Sequence, residues 1–125
     1  MPLPTVLDSL ISRSLRQSSR TAFSIARGDQ IQSSMTWGDL VHRSLVAARC
    51  LSDAGLRRGD RVIVCLPIGQ DLLSTLFGVL LAGGVCVPSY PLVTGHGLER
   101  WKQQIRTAAR VAQVRYAIAL PSQRT

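Results

Sequence analysis

Apolar and polar positions change their repeat several times along the chain, and each change marks an element. Over residues 5–16, Val6, Leu7, Leu10, Ile11 and Leu15 recur on one side, the spacing of an amphipathic helix. Ser18, Ser19 and Arg20 break it. Residues 21–26 and 31–35 are short strand candidates around the turn Gly28-Asp29, and together they predict a small hairpin. The best helical pattern covers residues 36–54. Thr36 stands at its N-cap, and Asp39 three residues later predicts a capping box on the exposed backbone N–H groups. Trp37, Leu40, Val41, Leu45, Ala48 and Leu51 then recur at helical spacing. Gly55 predicts the stop, with Leu56 placed for the contact that often follows a left-handed glycine cap.

A polar turn over residues 57–60 leads into Arg-Val-Ile-Val-Cys-Leu at 61–66. This run is apolar after its first residue and β-branched at Val62, Ile63 and Val64, the signature of a parallel strand covered on both faces. Pro67 stops it. Residues 71–82 predict an unusually apolar helix, packed on several sides. Gly83-Gly84 close that helix, and residues 85–88 form a short strand. A Pro/Gly loop over 89–97 precedes a helix over 98–112. Leu98, Trp101, Ile105, Ala108, Ala109 and Ala112 should face inward there, and Arg100, Lys102, Gln103, Arg106 and Arg110 outward. Residues 115–120 are the last strand, ended by Pro121. The lead-in 1–4 is extended and the tail 122–125 polar.

From residue 61 the order is strand, helix, strand, helix, strand with short loops. That is a βαβαβ unit with right-handed crossovers. The expected fold is α/β, in three layers, with a mostly parallel sheet and a small N-terminal hairpin. The 125 residues fit one domain, which at this size buries about two thirds of its unfolded surface. Aromatic residues are only 5% of the chain, so the core must be aliphatic.

The net charge of +8 comes almost entirely from arginine, Lys102 being the one lysine. The arginines are scattered, with only Arg57-Arg58 adjacent, and no aromatic-interleaved basic cluster appears. No nucleic-acid partner is expected. Cys50, Cys65 and Cys86 form no CxxC pair and read as buried, reduced thiols of a cytoplasmic protein. Residues 1–8 carry no basic n-region and no long apolar h-region, so no signal peptide is expected. The apolar stretch 72–87 is shorter than the roughly 20 residues of a spanning helix and is broken by glycines, so no membrane span is expected.

Motifs of known chemistry are missing from this sequence. There is no Walker loop, no strand-linked GxGxxG and no GxSxG elbow. His42 falls on the exposed side of a helix, and His96 in a Gly-flanked loop. Glu99 is the only glutamate, which excludes a paired-glutamate site, and the aspartates sit mostly at caps and turns. The residues themselves nominate no catalytic, cofactor-binding or metal-binding group.

A series of spacings does resemble one superfamily. Met35-Thr36-Trp37-Gly38-Asp39-Leu40 is similar to the first core motif of adenylate-forming (AMP-dependent synthetase/ligase) enzymes. Gly55-Leu56-Arg57-Arg58-Gly59-Asp60-Arg61-Val62 is similar to their Gly-x-x-x-Gly-Asp-x-Val turn. The run from Gly78 through Ala82-Gly83 to Pro88 is similar to their second core motif. Val87-Pro88-Ser89-Tyr90-Pro91 and Leu98-Glu99-Arg100 resemble the fatty-acyl-AMP ligase branch, with Leu92 where a second proline is usual. Each piece alone is structural punctuation, and the specificity lies in their order and spacing over roughly residues 21–120.

The resemblance implies the front part of a large N-terminal domain. The full enzyme would join a fatty acid to ATP, with Mg²⁺, and pass the acyl group to coenzyme A or an acyl carrier protein. The family's phosphate loop, adenine-contacting aromatic, ribose-binding aspartate and C-terminal lysine have no counterpart here, so no catalytic residue is carried over. Tyr90 and the loop 89–97 would line an acyl- or adenylate-proximal surface, or form a plain turn. The chain alone should be inactive. Alternatives are a coenzyme A ligase, a peptide-synthetase adenylation domain, a truncated partner-binding protein, or a basic RNA-binding module. An open sheet edge and uncovered apolar area predict self-association as a homo-oligomer, or marginal stability.

Overall fold

A computed structural model describes residues 5–89 and 97–119. The first helix, α1 (Val6–Arg16), begins with a complete capping box at Thr5: the Asp8 N–H donates to the Thr5 hydroxyl, and the Thr5 N–H donates to the Asp8 carboxylate at 2.8 Å. Of its predicted apolar stripe only Leu10 is buried, with Leu7 packed beside it. Ile11 and Leu15 remain exposed. Strands β1 (Thr21–Arg27) and β2 (Gln30–Thr36) form the antiparallel hairpin, turning at Gly28.

Thr36 ends β2 and at once caps α2 (Trp37–Asp53), its hydroxyl accepting from the Asp39 N–H at 3.1 Å. The buried side of α2 differs from the predicted one. Leu45, expected inside, is 52% exposed, while Ser44 is fully buried. The cause is α3 (Gln70–Leu81), which crosses α2 so closely that only small groups fit the seam. Ser44, Ala47 and Ala48 face Gly78 there. The Ser44 hydroxyl satisfies itself on the Leu40 carbonyl at 2.6 Å, so its burial leaves no orphan donor.

Two helix ends form the doubly bonded glycine cap. Leu56 N–H donates to Leu51 O and Gly55 N–H to Ser52 O; Gly84 N–H donates to Val79 O and Gly83 N–H to Leu80 O. Gly55 and Gly83 both have positive φ, which an L side chain resists. Between these caps lies β3 (Arg61–Cys65), and β4 (Val85–Pro88) follows the second; β5 (Tyr116–Ala119) completes the sheet. The order is β4-β3-β5, parallel throughout, with Val62 opposite both Cys86 and Tyr116. Val62 and Val64 pack against Val79 of α3, while Ile63 and Cys65 point to the other face and are buried as well. With α3 on the first face, a right-handed return from β4 to β5 sets α4 (Leu98–Val111) on the second. These are the three expected layers.

Asp60 secures the entry to β3. Its carboxylate accepts from the Arg57 N–H at 2.8 Å and lies 3.8 Å from the Arg115 guanidinium just before β5, while its carbonyl accepts from Val85 N–H.

Helix α4 is less embedded than its sequence predicts. Trp101, Ile105, Ala108, Ala109 and Ala112 are only half-buried, Leu98 is exposed, and no α4 residue is fully buried. Lys102, expected outside, is half-buried and lies 4.0 Å from Glu99. The helix ends on Gln113, a non-glycine at φ 52, where glycine stood at the two earlier caps. Cys50 is exposed rather than buried, and Cys50, Cys65 and Cys86 are free thiols. No helix among the described residues is long and apolar enough to cross a membrane. Tyr90, Pro91, Leu92, His96 and Leu120 lie outside the described residues.

Candidate functional site

The sheet topology points to one end of β3. Beside this strand the connections reverse: β3 leads to β4 on one flank, and β4 returns to β5 on the other. Open α/β sheets bind ligands outside the carboxyl ends of their strands at such a switch. A cleft of about 300 Å³ lies there, lined by Leu66 and Pro67 at the strand exit, Gly69, Gln70 and Asp71 at the start of α3, and Arg43 from α2.

Local chemistry explains the shape. Pro67 has no N–H for the ladder and ends β3. Ile68, which also lines the cleft, is 84% exposed. Gln70 Nε2 donates to the Ser34 carbonyl at 3.2 Å and fastens the start of α3 to β2. No side chain caps the amino end of α3. Arg43 Nη1 stands 3.9 Å from Asp71 Oδ1 across the opening, and both groups are well hydrated, so this pair contributes little stability. Ser89 N–H donates to the Val64 carbonyl at 3.0 Å. That bond brings Ser89 to the same end of the sheet.

The cleft offers apolar wall, the Arg43–Asp71 pair, the Gln70 side chain and backbone amides. It does not assemble a nucleophile with a base. Burial pushes the Cys65 and Cys86 thiols up, so both hold their protons at neutral pH and are poor nucleophiles. His42 is exposed on α2, as expected. Among the described residues no three His, Cys, Asp or Glu side chains gather where they would hold a metal ion.

Arg43, Ile68 and Gln70 were not legible as a group in sequence. They meet only because α2, β3 and α3 pack together. The one local signal was Pro67 directly after an apolar strand.

Comparison with known proteins bears on the whole arrangement. The profile of the AMP-binding enzyme family matches residues 12–123. A long-chain-fatty-acid–CoA ligase of Bacillus subtilis is 36% identical over 101 residues, covering 79% of this chain and 17% of the ligase. A medium-chain-fatty-acid–[acyl-carrier-protein] ligase of Moorena producens is 32% identical over 88 residues, covering 70% of this chain and 15% of that one. The crystal structure of a fatty acid AMP ligase from Legionella pneumophila superposes on 93% of this chain and 19% of its own, with a TM-score of 0.81 at 21% identity. The chain thus spans less than a fifth of the length of each.

Proposed function

The chain belongs to the AMP-binding enzyme family, and we propose that it is part of an acyl-activating ligase acting on fatty acids, most like the fatty-acyl-AMP ligases. A carboxylate is a poor electrophile. Such an enzyme makes it reactive by joining it to AMP, with release of pyrophosphate, before a thiol of coenzyme A or an acyl carrier protein takes the acyl group. ATP and Mg²⁺ supply the leaving group and the charge compensation for that step.

The 125 residues contribute scaffold to it: the buried strand β3, the braced start of α3, and the switch-point cleft. In such an enzyme the phosphates and the metal would be held by elements that have no counterpart among these residues, and the chain alone would be inactive. The observation that carries this reading is the family match over residues 12–123. Its ordered motifs occupy the caps and turns around β3.

The test is fatty-acid-dependent ATP–pyrophosphate exchange. It would be run on the chain itself and on a chimera in which it replaces the matching segment of a fatty-acid ligase. Exchange by the chimera and none by the chain is the expected result. Exchange by the chain alone would overturn its inactivity, and a folded chimera without exchange would overturn the acyl-activating role.

A second reading, a non-catalytic protein that self-associates, is favoured by one observation. Val111 on α4 is 76% exposed beside a stripe that is only half-buried. Concentration-dependent assembly together with an inactive but folded chimera would select it.

A further inference from the structure

A second cavity lies away from the β3 cleft, where α1 crosses the hairpin and the amino end of α2. It holds about 130 Å³ and its walls are almost wholly hydrocarbon. Leu10, 3% exposed, lies on its buried side. Phe23, Trp37 and Phe77 line it, with Phe23 6.2 Å from Trp37 and 6.5 Å from Phe77 between ring centroids. Three of the six aromatic side chains of this aromatic-poor chain meet here. None of the three is fully buried, so aromatic surface faces an open slot.

One charged group lines the slot. The Arg13 guanidinium lies over the Trp37 ring, 5.8 Å from its centroid. Among the described residues Arg13 forms no ion pair; its Nη1 donates only to the neutral Gln17 Oε1, at 3.3 Å. Asp8, one turn earlier on α1, has its carboxylate on the Thr5 N–H instead. The exposed Val6 and the Ser9 side chain sit on the same side of α1 as Arg13 and complete the opening.

We propose that this slot binds a small carboxylate whose apolar body is about the size of a benzene ring. The carboxylate would meet Arg13 and the body would lie among Phe23, Trp37 and Phe77. The size argument is direct, because an apolar cavity of about 150 Å³ is known to take up benzene. The charge argument is the uncompensated guanidinium, a planar donor fork that fits a carboxylate. A long acyl chain exceeds the volume, so the site is distinct from one that would enclose a fatty acid.

Phenylacetate is the probe, titrated while the indole N–H resonance of Trp37 is followed by NMR. A saturable shift is expected with a dissociation constant of about 1 mM, the strength available to roughly ten heavy atoms. The neutral isostere phenylacetamide should bind about two- to fivefold more weakly, the worth of an exposed ion pair. Arg13→Gln should bring the acid down to the amide. Val6→Trp, a surface change that fills the opening, should weaken both by at least about fivefold. The proposal is overturned by any of three results. These are no saturable Trp37 shift up to about 20 mM, equal binding of acid and amide to the unaltered protein, and a Trp37 shift that follows protein concentration, which would put a second copy in the slot.

Discussion

Gly78 of α3 leaves no room for a side chain against Ala47 of α2: a β-carbon on Gly78 would lie 2.6 Å from the Ala47 Cβ and 3.0 Å from the Ser44 carbonyl oxygen. One of these neighbours is backbone and cannot swing aside. Gly78→Ala gains about 1 kcal/mol of helix propensity. Prying apart the α2–α3 seam costs more, so the net change should be a destabilisation of about 1–3 kcal/mol. Chemical denaturation measures it. Adding Ala47→Gly should recover part of the loss, with a coupling of at least about 0.5 kcal/mol in the double-mutant cycle. A Gly78→Ala protein as stable as the parent would mean the helices are not this close.

The ends of the helices invite the opposite substitution. Gln113 takes the left-handed position after α4 at φ 52, with Val114 N–H donating to Ala109 O as in the glycine caps. Gln113→Gly should therefore stabilise by about 0.5–1 kcal/mol, since glycine adopts that conformation without the Cβ penalty. Gly55→Ala, at φ 102 and with Tyr116 Oη 3.4 Å from the new β-carbon, should destabilise by a similar amount. Thermal melts of the two variants should move in opposite directions.

The thiols provide a pH test. Burial raises the Cys65 and Cys86 thiols above their ordinary range. Thiolates then form more readily in the unfolded chain than in the folded one. Their stabilising contribution is complete below the unfolded value and is lost as pH rises through the folded one. Unfolding in urea should need less denaturant at about pH 10 than at about pH 8, and Cys65→Ala should flatten that slope. Alkylation followed by mass spectrometry should label the exposed Cys50 first and Cys65 last.

Local grammar was readable where one stretch of chain decides the outcome. The apolar, β-branched run at Val62–Val64 foretold a strand covered on both faces, and Gly55-Leu56 foretold a cap whose bonds the structure supplies. The inner face of α2 was not readable. Hydrophobicity places Leu45 inside, but the approach of Gly78 selects Ser44, a fact that belongs to α3 rather than to α2. Thr5 and Asp8 form a reciprocal box, a polar pair standing just in front of the apolar stripe that marks the helix. The cleft residues Arg43, Ile68 and Gln70 come from three segments that only tertiary packing joins. Helix α4 carries an inward stripe that is only half-buried, so its pattern was legible in the sequence but its depth of burial was not.

That unfinished packing leads to the prediction about association. Among the described residues β4 and β5 are the outer strands, and Val85 at the start of β4 is 45% exposed. An outer strand presents unpaired backbone groups to any other chain, and apolar residues along it favour pairing. Sedimentation should show assembly that grows with protein concentration. Val85→Lys places a charge on that edge and should shift the equilibrium toward monomer, because the lysine must be desolvated when a second edge docks. Salt separates this cause from simple charge effects. With a net charge of +8, like-charge repulsion opposes assembly at low ionic strength, so added salt should strengthen association of the parent protein. A parent protein that stays monomeric at high concentration and high salt, with a sharp melt at high temperature, would show that the edges are already protected.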